Sequence, residues 1–188
     1  MSYESPPPLS PVTRINVLQG QARVSAGPRV EFSTVLGSCV AACLYDPVAK
    51  IGGMNHFLLP SSGSDDPIDR QRFGIHAMET LINSLMKLGA DRSRLKGKLF
   101  GGGNVLAHIT RRPTVGEMNA EFAENFLRTE GIPVTASRLG GETGVEVRFH
   151  PHSGRAFLRD ISRESVELKN EEKSISAPKL ATGDAELF

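Results

Sequence analysis

The sequence predicts an α+β layered domain, on two observations. Two stretches repeat apolar residues at three- and four-residue steps and end at glycine, as helices do, and several short apolar runs flank turn signals, as antiparallel hairpins do. Taken in order, Arg14 to Leu18 and Ala22 to Val24 read as short strands, with Gly20 between them and Gly27-Pro28 after. Cys39 to Tyr45 and Ile51 to Leu59 flank Asp46-Pro47-Val48-Ala49-Lys50, a hairpin with proline early in its turn. From Arg70 to Leu88, Met78, Leu81, Ile82, Leu85 and Met86 keep helical spacing until Gly89. Lys96 to Phe100 forms a strand running into Gly101-Gly102-Gly103. Thr114 and Glu117 make a capping box for a second helix carrying Met118, Phe122, Phe126 and Leu127 before Gly131. Val145, Val147 and Phe149 alternate with polar residues, and Pro151-His152-Ser153-Gly154 turns the chain into Arg155 to Ile161.

The 188 residues fit one domain, residues 12 to 162, large enough to bury a core unaided. Residues 1 to 11 are rich in proline and serine and read as a flexible leader, and residues 163 to 188 read as a charged flexible tail. With 22 basic against 21 acidic residues the formal charge is +1, which disfavours nucleic acid and anionic membrane surfaces as partners. No apolar run approaches the roughly 20 residues of a membrane helix. Two cysteines, Cys39 and Cys43, do not make a disulfide framework, and the expected compartment is reducing, hence cytoplasmic.

The chemistry concentrates in Leu36-Gly37-Ser38-Cys39-Val40 and in His56 on the next apolar run. If the hairpin turns about Pro47-Val48, facing residues sum to 95, and Cys39 stands opposite His56 on one face. A turn one residue longer puts them on opposite faces. The local alternative is a helix from Cys39 to Tyr45, with Ser38 as N-cap and the thiol at the positive helix end. In either geometry Gly37 permits close backbone approach, and the N–H groups near Ser38 and Cys39 can form an oxyanion hole. Lowering a cysteine pKa from about 8.5 to about 7 raises the thiolate fraction at neutral pH only about fifteenfold. Holding the carbonyl and stabilising its oxyanion must therefore supply most of the rate. Spacing alone also fits a buried, inert Cys39 and a strand histidine.

The stretches LGSCVAACLYDP and KIGGMNHFLLP resemble the signature of the CheD family, chemoreceptor glutamine deamidases of bacterial chemotaxis. The likeness continues through Leu81-Ile82, Leu88-Gly89-Ala90, Lys98 to Gly102, Asn119, Gly140-Gly141 and the last hairpin. It implies an α/β/β layered sandwich that hydrolyses glutamine side-chain amides of chemoreceptors (methyl-accepting chemotaxis proteins) to glutamate, releasing ammonia. It makes Cys39 the nucleophile and His56 the base and acid, with no cofactor or metal. The family's third catalytic residue, a threonine six positions before the cysteine, falls on Ser33, with Thr34 beside it, and the offset favours Ser33. The implied partners are receptor cytoplasmic domains and, in some members, a CheC-type phosphatase. Two rival activities remain: a transglutaminase using the same acyl-enzyme, and a non-enzymatic adaptor for receptors or the phosphatase.

Other constellations read as structural. Gly101-Gly102-Gly103-Asn104 lacks the Gly-Lys-Ser/Thr of a phosphate loop and is a tight turn. His150 and His152 lack a third metal ligand, and His76 and His108 are ordinary residues. Cys43 in a strand lies about 13 Å from Cys39, beyond disulfide reach, and belongs to the core. Leu187 and Phe188 at an acidic end form a candidate docking peptide.

Overall fold

The computed structural model describes residues 11–60, 67–105 and 113–161. The leader (Pro11 apart), the tail 163 to 188, His108 and the Leu187-Phe188 end lie outside the described residues. The elements are β1 Thr13–Asn16, β2 Ala22–Ser25, β3 Val30–Leu36, β4 Val40–Asp46, β5 Ile51–Asn55, α1 Pro67–Leu88, β6 Lys96–Gly101, α2 Val115–Thr129, β7 Val134–Leu139, β8 Gly144–His150 and β9 Arg155–Ile161. A single 3-10 turn, Arg92–Arg94, precedes β6. No helix of the described residues is long and apolar enough to cross a membrane.

The strands form two sheets, one ordered β1-β3-β8-β9 and the other β2-β5-β4-β6-β7. Strand β4 shows how three layers arise from one alternation. Its Val40, Ala42 and Leu44 pack with Met78, Leu81, Ile82 and Leu85 of α1 and Ala123 and Leu127 of α2. Its Ala41 and Cys43 pack with Phe32 and Leu36 of β3 and Val145, Val147 and Phe149 of β8. Both faces are apolar because helices cover one and the second sheet the other, which is the α/β/β arrangement.

Several expectations are corrected. The run after Cys39 is strand β4, not a helix begun by Ser38. The β4–β5 ladder pairs Cys43 with Met54 and Asp46 with Ile51, so facing residues sum to 97, not 95. The turn spans four residues, Pro47 to Lys50, because the Asp46 carboxylate accepts from the Val48 and Ala49 amides and Lys50 takes the left-handed conformation at φ 58°. A shift of two preserves the faces that a shift of one would invert. Strands β3 and β7 are additional, and the pairs β1–β3 and β6–β7 are parallel rather than hairpins. The capping box of α2 forms as expected: Thr114 accepts from the Glu117 amide while the Glu117 carboxylate accepts from the Thr114 amide.

Candidate active site

Cys39 is the residue before β4 and His56 the residue after β5. The pairing continues past the end of β5 through Val40 of β4 and Phe57, which exchange backbone hydrogen bonds at 3.0 and 2.9 Å. Cys39 is half-buried and packs with the inter-sheet cluster, as do Ala41 and Cys43 two and four positions on. His56 is 3% exposed and follows Met54 of the same cluster by two residues, so strand alternation sends both side chains toward the second sheet.

From that second sheet comes the hydroxyl, and it belongs to Thr34. The Thr34 Oγ1 lies 2.8 Å from His56 Nδ1 and 2.8 Å from the Val17 carbonyl oxygen. Among the described hydrogen bonds, the one between a hydroxyl and the imidazole involves Thr34 and not Ser33, the residue that the offset favours. Phe32 and Leu36 face the inter-sheet core, and Thr34 between them shares that face, whereas Ser33 belongs to the other.

The contacts at Nδ1 determine the tautomer. Thr34 has one hydroxyl proton, and the Val17 carbonyl can only accept, so the proton goes to Val17. The ring must then donate its Nδ1–H to Thr34 Oγ1, and also faces the Val17 oxygen at 3.3 Å. A lone pair at Nδ1 would face both oxygens repulsively. Neutral His56 therefore carries its basic lone pair on Nε2. The Val17 carbonyl that anchors the ring went unread in the sequence, because a backbone acceptor leaves no residue signature. Gln19, two residues on, accepts from the Cys39 thiol at 3.6 Å.

The Gly37-Ser38-Cys39 loop is held through three successive carbonyls. Gly103 N–H donates to Gly37 O at 2.8 Å, the Asn119 side-chain amide to Ser38 O at 2.8 Å, and Gly102 N–H to Cys39 O at 2.7 Å. The glycine triplet is thus the tight turn expected, with a specific task. Gly101 and Gly102 take φ of 103° and 65°, and a Cβ on Gly101 would overlap the Cys39 carbonyl oxygen. Asn119, fully buried on α2, also accepts from the Leu59 amide at 2.8 Å, tying the cysteine loop to the chain leaving His56.

The remaining candidates stay apart from this cluster. Cys43 is fully buried, and burial pushes its thiol far above the usual range. His150 Nε2 meets Glu31 at 3.0 Å, His152 Nδ1 donates to Ala26 O, and His76 is exposed on α1. Among the described residues no three His, Cys, Asp or Glu side chains gather as a metal site.

A family model described as CheD chemotactic sensory transduction matches residues 58–160. Its match begins after Thr34, Cys39 and His56, but whole-chain relatives span them. A probable chemoreceptor glutamine deamidase CheD of Agrobacterium fabrum is 47% identical over 93% of this chain and 96% of its own. A protein of the same name in Caulobacter sp. strain K31 is 48% identical over 95% and 94%. One in Rhizobium etli is 52% identical over 76% and 77%. Among solved structures, a hypothetical protein YfiH of Bacillus licheniformis has a TM-score of 0.41 at 13% identity, covering 62% of this chain and 49% of that one, a likeness too slight to bear on the site.

Proposed function

The chain belongs to the CheD family, and on that premise we propose that it is a cysteine-dependent hydrolase converting chemoreceptor glutamine side chains to glutamate. One observation carries the reading: a buried imidazole held at Nδ1 by Thr34 and Val17, which puts its basic lone pair on Nε2, on the same sheet face as the cysteine of the Gly37-Ser38-Cys39 loop. Nε2 of His56 takes the Cys39 proton. The thiolate attacks the glutamine amide carbon, and the carbonyl electrons move onto oxygen. As they return, the C–N bond breaks, and the imidazolium gives its proton to the leaving nitrogen, releasing ammonia. Water then attacks the thioester, giving one proton to His56, and the C–S bond breaks to leave glutamate and the thiol.

The backbone around Gly37 and Ser38 suits the oxyanion. Gly37 O and Ser38 O turn toward Gly103 and Asn119, so in trans peptides the following N–H groups, of Ser38 and Cys39, point the other way. N–H groups so directed suit an oxyanion placed on that side.

The test is incubation of the purified chain with chemoreceptor cytoplasmic domains, with ammonia assay and mass-spectrometric mapping of Gln-to-Glu changes. Conversion at discrete glutamines is expected. Receptor binding without ammonia release would overturn the reading in favour of an adaptor, and incorporation of added primary amine would favour transglutamination.

A further inference from the structure

Asn119 lies on α2, eighty-one residues from the loop it holds, and it is the sole side chain in the described hydrogen bonds to the Ser38–Cys39 peptide. It is 0% exposed, and both ends of its amide are committed, Nδ2 to Ser38 O and Oδ1 to the Leu59 N–H. The geometry points to Asn119 as the positioning residue that aims the Cys39 N–H at the substrate oxyanion. This rests on the hydrolase reading above.

The reasoning uses the rigidity of one peptide unit. Ser38 C=O and Cys39 N–H belong to the same plane and, in a trans peptide, point in opposite directions. Asn119 draws the oxygen toward the helical layer, while the Cys39 side chain packs in the layer between the sheets. The N–H is thereby sent to the side of the molecule that holds the thiol, where an attacked carbonyl would place its oxygen. Asn119 touches neither the thiol nor His56 in any described bond. Its loss therefore leaves the nucleophile and base in place but frees the peptide to rotate. The glycine turn cannot substitute, because Gly102 and Gly103 donate to the carbonyls on either side, Cys39 O and Gly37 O. The second bond, to Leu59, keeps the helix in register with the segment after His56, so the donor is fixed relative to the base as well.

The experiment compares the parent with Asn119→Asp, which keeps an acceptor for Leu59 but no amide donor for Ser38, and with Asn119→Ala, which loses both. Two rates are read: deamidation of a receptor cytoplasmic domain, and alkylation of Cys39 by iodoacetamide across pH. Displacement of iodide develops no oxyanion on the enzyme's side, so alkylation reports only the thiol and its base. Expected is a fall in kcat of about 10²–10³, the usual cost of one oxyanion donor, with KM nearly unchanged and the alkylation rate and pH profile those of the parent. A parallel fall in alkylation, or an unchanged kcat, would overturn the assignment. So would failure of both variants to fold, since it would make Asn119 a support of the fold. A parent that alkylates at Cys39 but converts no glutamine would instead refute the hydrolase reading itself.

Discussion

Ser33 and Thr34 offer the same hydroxyl one position apart, yet β3 gives them opposite surroundings. Phe32 and Leu36 face the inter-sheet core and Thr34 shares their parity, which becomes readable only once β3 itself is recognised as a strand. An offset counted from Cys39 selects the neighbour instead, since it counts chain positions and not faces. Replacing Thr34 by valine leaves Nδ1 its longer contact with Val17 O and removes two neutral hydrogen bonds, of which the one to the imidazole is worth about 0.5–1.5 kcal/mol. Turnover of Thr34→Val is expected to fall about two- to tenfold, and that of Ser33→Ala to stay near the parent. Steady-state kcat on a receptor domain decides, and a larger Ser33 effect would reverse the assignment. For the cysteines, Cys39→Ala is expected to abolish turnover, on the order of 10⁶-fold. Cys43→Ala is expected to keep it, because the buried Cys43 thiol stays protonated and faces the inter-sheet core.

At the level of elements, helices were more readable than strands. The apolar period of α1 and the capping box of α2 are local signals, and both helices form where those signals stand. Strands β3 and β7 escaped notice because neither carries a clean alternation: β3 is buried along most of its length, and β7 is largely exposed. The β4–β5 turn was visible from Pro47, but not its length. That length depends on Asp46, whose carboxylate also accepts from the Asp91 amide and pairs with Arg94, some 45 residues away. Burial works to raise the Asp46 pKa, and the Arg94 hydrogen bonds with the amides of Asp91, Ala49 and Val48 outweigh it, leaving the group well below the usual carboxylate range. A depressed folded pKa contributes stability that is complete above the ordinary value of about 3.9 and is lost as pH falls toward the folded one. Asp46→Asn is therefore expected to lower the neutral-pH melting temperature, losing at least about 1.5–3 kcal/mol of charge-assisted bonding, and to flatten the fall of that temperature below about pH 4. Parallel acid profiles for parent and variant would show that Asp46 is not the group responsible.

At the scale of the whole molecule, the site is shared between sheets, with Thr34 on one and Cys39 and His56 on the other. The crossing from β1 to β2 binds them together. Val17 N–H donates to Ser33 O in the first sheet, while Gly20 N–H donates to His56 O and Gln21 O accepts from His56 N–H in the second. The far end of the sandwich is pinned differently, by the β8–β9 turn, where Pro151 lies against Gly52 so closely that a Cβ there would come within 2.5 Å of its carbonyl oxygen. Gly52 stands four residues before His56, about 13 Å along an extended strand. Two alanine substitutions should therefore separate stability from catalysis. Gly52→Ala wedges the sheets at the pinned end, where overpacking costs about 1–3 kcal/mol, or roughly 2–12 °C in melting temperature for a chain of this size. Its turnover well below the transition should stay near the parent's, because distant sites act nearly independently. Gly101→Ala instead pushes on the Cys39 carbonyl from a position of positive φ. In the proposed mechanism, a displacement of Cys39 of about 1 Å is enough to cost on the order of 10²-fold in rate. Melting curves and kcat at one temperature for both variants check the contrast. If Gly52→Ala lost as much turnover as Gly101→Ala, the spacing between the sheets would be setting the Thr34–His56 contact, and the crossing segment would not be enough to hold it.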